Sequence, residues 1–414
     1  MRQTQKLFKV AFRNVSRNVK RTMLTALAVF IGIGVVISVR GLLNGLQGGI
    51  KDQVTKGALG DIQVHHADFE TTTEMMPLDL NMKLDAKLVK LIKSHPEVRE
   101  VTGRIVFGGV ISDTSREKTT PYFGVAVDVD TVFKVIPLLK DNITKGAMPK
   151  KNDALEIVIT EQLARTLNLK IGDDVAIQAR TEPGSVNAFD FKIVGIFELK
   201  LATASKRMIY MPLHTAQKLL DMPQKVTEIV LDIKKLEHSR IVAASLQKTL
   251  TAAGYKVKVD PWEEVATLYS SIMGLQNMIF GIVSGVLFIL VLTGVINTML
   301  MTVYERVREI GTMMAMGVKR GKVVLMFLFE SLSIAAIGSL FGLILGITVV
   351  EILHQTGIHF QFPGTQSVIV VRPQVTAVFI ILSVVVAMLG ALLAATYPAY
   401  RASQLRPAEA IRSS

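Results

Sequence analysis

No cysteine occurs anywhere in the 414 residues, which excludes disulfides, thiolate-bound metal and iron–sulfur clusters as a means of holding the chain together. No G-x-S-x-G, H-E-x-x-H or EF-hand pattern is present, and no G-x-x-x-x-G-K-[ST] loop. His65 and His66 are adjacent, so on a strand they point to opposite faces; they read as packing or surface histidines and not as a chelating pair. Asp173-Asp174 and Glu263-Glu264 read as solvated turn and helix-start residues, because paired carboxylates alone are a weak catalytic signal. The expectation is a chain with no catalytic, cofactor-binding or metal site of its own.

Charge is absent from long stretches and concentrated elsewhere. The formal net charge is +13, but residues 41–271 hold thirty basic and twenty-nine acidic side chains. Residues 1–21 hold seven basic and no acidic ones, 305–322 five and two, and 401–414 three and one. The excess sits beside apolar runs, as the positive-inside rule expects, and not on a folded domain able to grip phosphate backbones. Nucleic acid is therefore not an expected partner; the lipid bilayer is.

A helix needs about 20 mostly apolar residues to cross the ~30 Å hydrocarbon layer. Thr22–Val39 lies between Arg21 and Arg40, Val265–Tyr304 carries no charge, Ser331–Val350 follows Glu330, and Pro373–Tyr400 lies between Arg372 and Arg401. A secretory signal peptide is the rival reading of the first run. The 21-residue head and the lack of alanine between Ala28 and Ala58 argue for a retained anchor.

The basic flanks mark the cytoplasmic sides, and four spans make them mutually consistent. The expected organisation is a cytoplasmic amphipathic interfacial helix at 1–21, transmembrane helices at 22–45, 271–304, 323–350 and 373–400, and an extracytoplasmic domain at 46–270. A cytoplasmic coupling segment at 305–322, a short external loop at 351–372 and a cytoplasmic tail at 401–414 complete it.

Within the external segment, short alternating runs such as Ile62–His65, Ile105–Ile111, Tyr122–Val127, Glu156–Thr160, Asp174–Gln178, Phe191–Phe197, Met208–Met211 and Glu228–Ile233 predict strands. Ala86–Ser94, Thr160–Leu167, Thr215–Asp221 and Ser239–Ala253 predict helices. The fold class is a membrane α-helical protein with four transmembrane helices and a large α+β extracytoplasmic domain of two subdomains.

Two cytoplasmic segments are informative. In residues 1–21, Phe8, Phe12, Val15 and Val19 share one helical face, with Lys6, Lys9, Arg13, Arg17 and Lys20 roughly opposite. In 305–317, Val307, Ile310 and Met314 form a stripe at i, i+3, i+7 between charged flanks. Spacing leaves two placements open for that stripe: a groove on a soluble partner, or the lipid interface. Small residues recur along the third span (Ser331, Ala335, Gly338, Gly342, Gly346) and the fourth (Ala387, Gly390, Ala391, Ala394), and the two faces are expected to pack on each other. Glu330 lies about 12 Å along a helix from Lys322. An acidic group at that depth is a functional candidate by default, and the favoured reading is an ion pair with Lys322 or Arg320.

The run Tyr304-Glu305-Arg306-Val307-Arg308-Glu309-Ile310-Gly311, with Met314 and Gly317 following, resembles the cytoplasmic loop of FtsX/MacB-type ABC transporter permeases. Tyr397-Pro398-Ala399-Tyr400-Arg401-Ala402 and Pro407-Ala408-Glu409-Ala410-Ile411-Arg412 are similar to that family's closing signature, and Leu169–Asp173 also looks like its members. Gly60-Asp61-Ile62-Gln63-Val64-His65 resembles the LolC/LolE-like branch of lipoprotein-releasing systems, with Asp61 where that branch carries His.

The resemblance implies a non-catalytic permease in a bacterial inner membrane that couples ATP hydrolysis on a separate ABC ATPase dimer to work outside the membrane. ATP and Mg would be bound by that ATPase, and Glu305, Arg306, Arg308, Glu309, Ile310, Gly311, Met314 and Gly317 would form the coupling loop. It also implies a second permease, as homodimer or heterodimer. Release of lipoproteins is the leading implied activity; MacB-like efflux of peptides or toxins with a periplasmic adaptor, and FtsX-like signalling to a cell-wall hydrolase, are the alternatives.

Overall fold

A computed structural model describes residues 19–70, 77–113, 118–198, 207–361 and 368–405. The helix expected over 1–21, except its last three residues, and the Pro407–Arg412 signature lie outside the described residues. The elements run α1 (Val19–Val54), a π-helical turn (Thr55–Leu59), β1 (Ile62–His66), β2 (Met82–Lys83), α2 (Ala86–Lys93), β3 (Val98–Asp113), β4 (Thr119–Val127) and α3 (Val132–Val135). There follow a 3-10 turn (Pro137–Asn142), β5 (Ile143–Gly146), β6 (Glu156–Thr160), α4 (Glu161–Leu167), β7 (Asp174–Arg180), β8 (Val186–Phe197), β9 (Met208–Pro212), α5 (Leu213–Leu219) and β10 (Lys225–Val226). The chain continues through β11 (Glu228–Ile233), α6 (Ser239–Ala252), β12 (Val257–Pro261), α7 (Trp262–Val265), α8 (Thr267–Glu305), α9 (Val307–Ala315), α10 (Arg320–Thr356), β13 (Ile358–Gln361), β14 (Val368–Val371) and α11 (Ala377–Ser403). Two units result, a helical one built on α1 and α8–α11 and a mixed one built on the sheet between them in sequence.

Among the described residues, α1, α8, α10 and α11 are the four helices long and apolar enough to cross a membrane. Three of them outrun the bilayer: α1 at 36 residues, α8 at 39 and α10 at 37 correspond to about 54–59 Å of rise against ~30 Å of hydrocarbon. Helical hydrogen bonding does not stop where hydropathy does, so α1 passes Arg40 and α10 begins ten residues before Glu330.

The small-residue face of α10 packs on α1. A Cβ at Gly338 would stand 2.7 Å from the Ala26 carbonyl oxygen, at Gly342 2.7 Å from that of Phe30, and at Gly346 2.7 Å from Ile37 Cβ. The expectation that the two small-residue faces meet each other therefore holds at Ser331 and Ala391 but not along the glycines. Gly390 of α11 instead faces α8, where a Cβ would stand 2.5 Å from the Phe288 ring, and Ala394 is buried in the helical core. α10 and α11 do meet through Ser331, whose hydroxyl donates to the Ala391 carbonyl at 2.8 Å. Small residues fix how near two backbones can come, but not which helix approaches; the bulky β-branched and aromatic partners on α1 and α8 decide that.

In the mixed unit a ten-stranded sheet runs in the order β12-β1-β11-β3-β4-β9-β6-β8-β5, with β7 joining β3 and β8. The pairings β4–β9 and β6–β8 are parallel and the others antiparallel. The 16-residue β3 pairs β11 along its first half and β7 along its last residues, so it bridges the two sides of the sheet. Both faces are buried, as the period-2 alternation dictates. Ile157 and Ile159, Ile209 and Met211, and Ile229 and Leu231 join the larger core under α2, α4, α5 and α6. Val158, Tyr210 and Val230, the residues between them, join a smaller core with Val132, Val135 and Leu139.

The face that carries the smaller core turns ionic toward the β12 edge. Register places Arg104 of β3 opposite Glu228 of β11, Glu228 opposite His65 of β1, and His65 opposite Lys258 of β12. Arg104 is ion-paired to Glu228, and the His65 ring nitrogens lie 3.3 Å from Glu228 and 3.4 Å from Asp260. Asp260 also pairs with Lys258 at 3.0 Å, and Phe69 stacks on the His65 ring at 4.1 Å. With a carboxylate on each nitrogen, the imidazolium satisfies both contacts. Burial alone would push the His65 pKa down, but the bonds to Asp260 and Glu228 outweigh it and raise it above the usual value. Burial likewise works to raise Glu228, and Arg104 and His65 overcome it, bringing the carboxyl down to about 2. His65 is therefore an ionic cross-strand residue and not a generic packing one.

This row also closes the end of the first helix. The Arg104 guanidinium donates to the Ala58 carbonyl and the Gln63 amide to that of Leu59 at 2.7 Å, satisfying acceptors that a helix terminus leaves open. Asp61 accepts the Ile233 N–H at 2.9 Å, while its burial pushes its pKa up to about 6.

Two tests follow from this packing. Gly342→Leu is expected to destabilise the helical unit by about 1–3 kcal/mol through overpacking, whereas Gly281→Leu, where a Cβ meets nothing within 4 Å, is expected to change little; thermal unfolding in detergent compares them. For the ionic row, Glu228 is depressed, so its contribution is present above about pH 4.5 and lost as pH falls toward 2. His65 is raised, so its contribution is present below about pH 6.5 and lost as pH rises through its folded pKa. Glu228→Gln strands buried Arg104 and leaves His65 with one of its two carboxylates, and is expected to cost about 3–5 kcal/mol. The gap between wild type and variant is expected to be widest near pH 5–6 and to narrow on both sides. Fluorescence of Trp262, the sole tryptophan and part of this unit, reports the transition in the intact chain.

Candidate coupling site

The apolar helix α8 ends at Glu305, and the chain breaks at Arg306 before re-entering a helix at Val307. The Arg306 N–H is shared between the Thr302 and Val303 carbonyls at 3.2 Å each, which ends α8 tightly. At the far end of α9 the Gly317 N–H reaches the Met314 carbonyl at 3.0 Å and the Val318 N–H that of Met313 at 3.1 Å. This is a Schellman closure, and it requires the positive φ of 88° that Gly317 supplies. The chain can then re-enter a helix at Arg320.

α9 is folded down onto its own unit. Ile310 is fully buried and Gly311 is buried, while Met313, Met314 and Val318 pack against a core that includes Val303, Val323, Phe327, Ala399 and Ala402. Ile310 and Met314 of the expected stripe thus find their groove within the chain, a third placement that spacing alone did not offer, while Val307 is half-buried. Outward instead face Glu305, Arg308, Thr312, Ala315, Met316 and Gly317, with Met316 72% exposed. Thr312 and Ala315 were not singled out from sequence; they stand four and seven residues after Arg308 on one helical face.

Arg306 ties this helix to the rest. Its Nε donates to Glu309 Oε2 and its Nη1 to Glu330 Oε2, both at 3.0 Å, and its guanidinium lies 5.9 Å from the centre of the Phe327 ring. Glu330 is buried and Glu309 half-exposed. The partner of Glu330 is thus Arg306, not the Lys322 or Arg320 expected from spacing. Those two lie two and nearly three turns away along α10 itself, whereas the break after α8 brings Arg306 across from the neighbouring chain segment.

Among the eight sequence-predicted residues, Arg306, Ile310, Gly311 and Met314 hold the helix in place and Glu309 braces Arg306. Glu305, Arg308 and Gly317 remain on the outer surface. Among the described residues no group of side chains has the composition to hold a metal ion. The arrangement is mechanical: an exposed polar face on a short helix rigidly pinned to two long apolar ones.

Residues 22–249 match the model of the MacB-like periplasmic core domain and residues 281–407 that of the FtsX-like permease C-terminal region. The macrolide export ATP-binding/permease protein MacB of Chlorobium luteolum is 24% identical over 339 residues, covering 79% of this chain and 47% of that protein. An uncharacterised ABC transporter permease of Bacillus subtilis, YvrN, is 26% identical over 343 residues, 78% of each chain. The lipoprotein-releasing system transmembrane protein LolC of Xylella fastidiosa is 25% identical over 293 residues, covering 67% of this chain and 70% of that one. The chain spans less than half the length of the MacB proteins it matches. The crystal structure of the periplasmic region of MacB from Actinobacillus actinomycetemcomitans aligns over 52% of this chain and 94% of its own, with 13% identity and a TM-score of 0.37.

Removing one partner of a buried, hydrogen-bonded ion pair costs about 3–5 kcal/mol because the other charge is stranded. Arg306→Ala and Glu330→Ala are each expected to lower the unfolding temperature by several degrees. The double replacement Arg306→Met with Glu330→Leu is expected to recover most of that loss. A double-mutant cycle showing additive losses would mean that the two side chains do not act as a pair.

Proposed function

Because the chain belongs to the MacB/FtsX family of ABC transporter permeases, we propose that it is the membrane subunit of a mechanotransmission machine. In this reading both termini and α9 are cytoplasmic, the mixed domain is periplasmic, and a separate ABC ATPase dimer binds ATP and Mg. Closure of that dimer pushes on the outer face of α9. The single observation that carries the reading is the α9 clamp, in which a surface-exposed charged helix is pinned through Arg306 to buried Glu330 on a spanning helix. A push on Arg308 or Thr312 then moves α8 and α10 as one body. Connectivity supports the outer half of the mechanism: β1 begins three residues after the π turn that continues α1, and β12 leads through α7 into α8. These two strands are hydrogen-bonded neighbours, so displacement of the two spans arrives at one place in the sheet.

A second permease chain, identical or related, completes the assembly in this proposal. For the cargo we infer lipoproteins released from the inner membrane, on the resemblance of the 60–65 run and the likeness to LolC. Efflux of peptides or toxins with a periplasmic adaptor is the second reading, favoured by the MacB matches.

The tagged chain, purified with its neighbours, is expected to bring down an ABC ATPase. Glu305→Lys combined with Arg308→Glu is expected to uncouple ATP hydrolysis from the permease while leaving the unfolding curve unchanged. An ATPase that co-purifies and is stimulated equally by the variant would remove α9 from the pathway. Depletion of the chain is expected to leave lipoproteins in the inner membrane; unchanged lipoprotein sorting together with sensitivity to exported compounds would move the cargo to the second reading.

A further inference from the structure

The helical unit contains a cavity of about 330 Å³ between α1, α8 and α11. Its walls are almost wholly apolar, with Val29 and Val36 on α1, Phe288 on α8, and Phe379 and Val386 on α11 among its lining residues. Val29 to Val36 spans about 10 Å of helix rise, so the space is elongated along the helices and lies within the apolar part of the first span. One polar atom is left over: Ser284, also in the lining, has a buried hydroxyl with no hydrogen-bond partner.

A cation stands at one end. Arg40, one helical turn beyond Val36, sits with its guanidinium 5.4 Å from the Phe280 ring centre and 5.8 Å from that of Phe379, and both rings line the cavity. It donates to Asn277 Oδ1 at 3.0 Å and makes no ion pair among the described residues. Arg40 stands on the side of the cavity toward the C-terminal end of α1, fourteen residues before Val54, beyond which the chain runs on toward the sheet. An apolar slot of membrane depth with an unneutralised arginine at its mouth matches an amphiphile whose tail is hydrocarbon and whose head is anionic.

We propose that this cavity binds one acyl chain of an anionic phospholipid, with the phosphate at Arg40 and the tail running between α1, α8 and α11 past Ser284. The aromatic pair under the guanidinium orients its donors and keeps the mouth apolar up to the level of the charge. The proposal stands apart from the coupling reading, since it uses no residue of α9 and no partner protein.

Gly285 provides the test, because it lines the cavity and a Cβ there would meet nothing within 4 Å. The full chain, extracted in detergent, is incubated with phosphatidylglycerol or phosphatidylcholine, and retained lipid is counted by native mass spectrometry. Wild type is expected to retain one phosphatidylglycerol per chain with about fivefold preference over phosphatidylcholine. Arg40→Gln is expected to keep the lipid and lose the preference, and Gly285→Trp to lose both lipids. A phosphatidylglycerol carrying a photoactivatable group in its acyl chain gives a second readout on wild type alone, with cross-links expected at 280–291 and 379–387. Absence of retained lipid, equal retention of both lipids by wild type, cross-links elsewhere, or a second copy of the chain cross-linked across this face would each overturn the proposal.

Discussion

A guanidinium placed at a helix break beside apolar spans is tolerated only if its charge is matched, and Arg306 is matched twice, by Glu309 on the helix that follows it and by Glu330 on the next long one. That requirement organises the whole edge of the helical unit. The break at Arg306 turns α9 back, the turn presents Ile310 and Met314 to the core, and the Schellman closure at Gly317 delivers the chain into α10 at the register that brings Glu330 opposite Arg306. None of the three features is stable alone. An isolated nine-residue helix is marginal, and a buried carboxylate without its cation is costly.

The mixed unit solves a related problem by similar means. Its smaller core runs out of apolar residues toward β12, and the same face is continued by Arg104, Glu228, His65, Lys258 and Asp260 in cross-strand register. Glu228 lies between Arg104 and His65, and Asp260 answers both His65 and Lys258, so each charge has an opposite within reach and the row spans four strands without an orphan. Arg104 and Gln63 also reach the carbonyls of the π turn, so the residues that join the strands to one another are those that close the helix leading into them. Hydrophobic burial holds the sheet together on both faces; the ionic row determines how the entering chain is gripped.

The division between what sequence displayed and what it concealed follows from range. The four spans were legible because hydropathy is a local property, and most strands because alternation has period two. β12 escaped because Val257–Pro261 is a short run ending in proline. The early part of β8 escaped because Val186–Asp190 is exposed and reads as a turn extension after Pro183-Gly184. Everything that depends on which elements become neighbours was hidden. Glu330 was assigned to cations on its own helix, since spacing along one helix is all that a sequence measures, whereas its partner lies 24 residues away across a turn. The glycines of α10 announced a close approach without naming α1. His65 looks bland beside His66 in the sequence because strand register, which one sequence does not display, supplies both of its carboxylates.

The inward turn of the α9 stripe changes what a partner could do there. A stripe docked into a foreign groove would transmit force through a contact that forms and breaks with the partner. A stripe already seated in the chain's own core leaves the partner only the outer face of Arg308, Thr312 and Ala315 to press, and the compliance of the joint is then set inside this molecule. Ile310 and Phe327 supply close packing and Arg306 supplies direction, since a bond to Glu330 resists sliding along α10 in a way that apolar contacts do not. In the proposed mechanism, load applied to α9 therefore passes to α8 by covalent continuity and to α10 by the ion pair. α10 hands it to α1 along the glycine face, where backbones close enough to exclude a Cβ leave little slack. Of the two spans continuous with the sheet, one is driven directly and the other through a packed interface, which is the condition for moving β1 and β12 together.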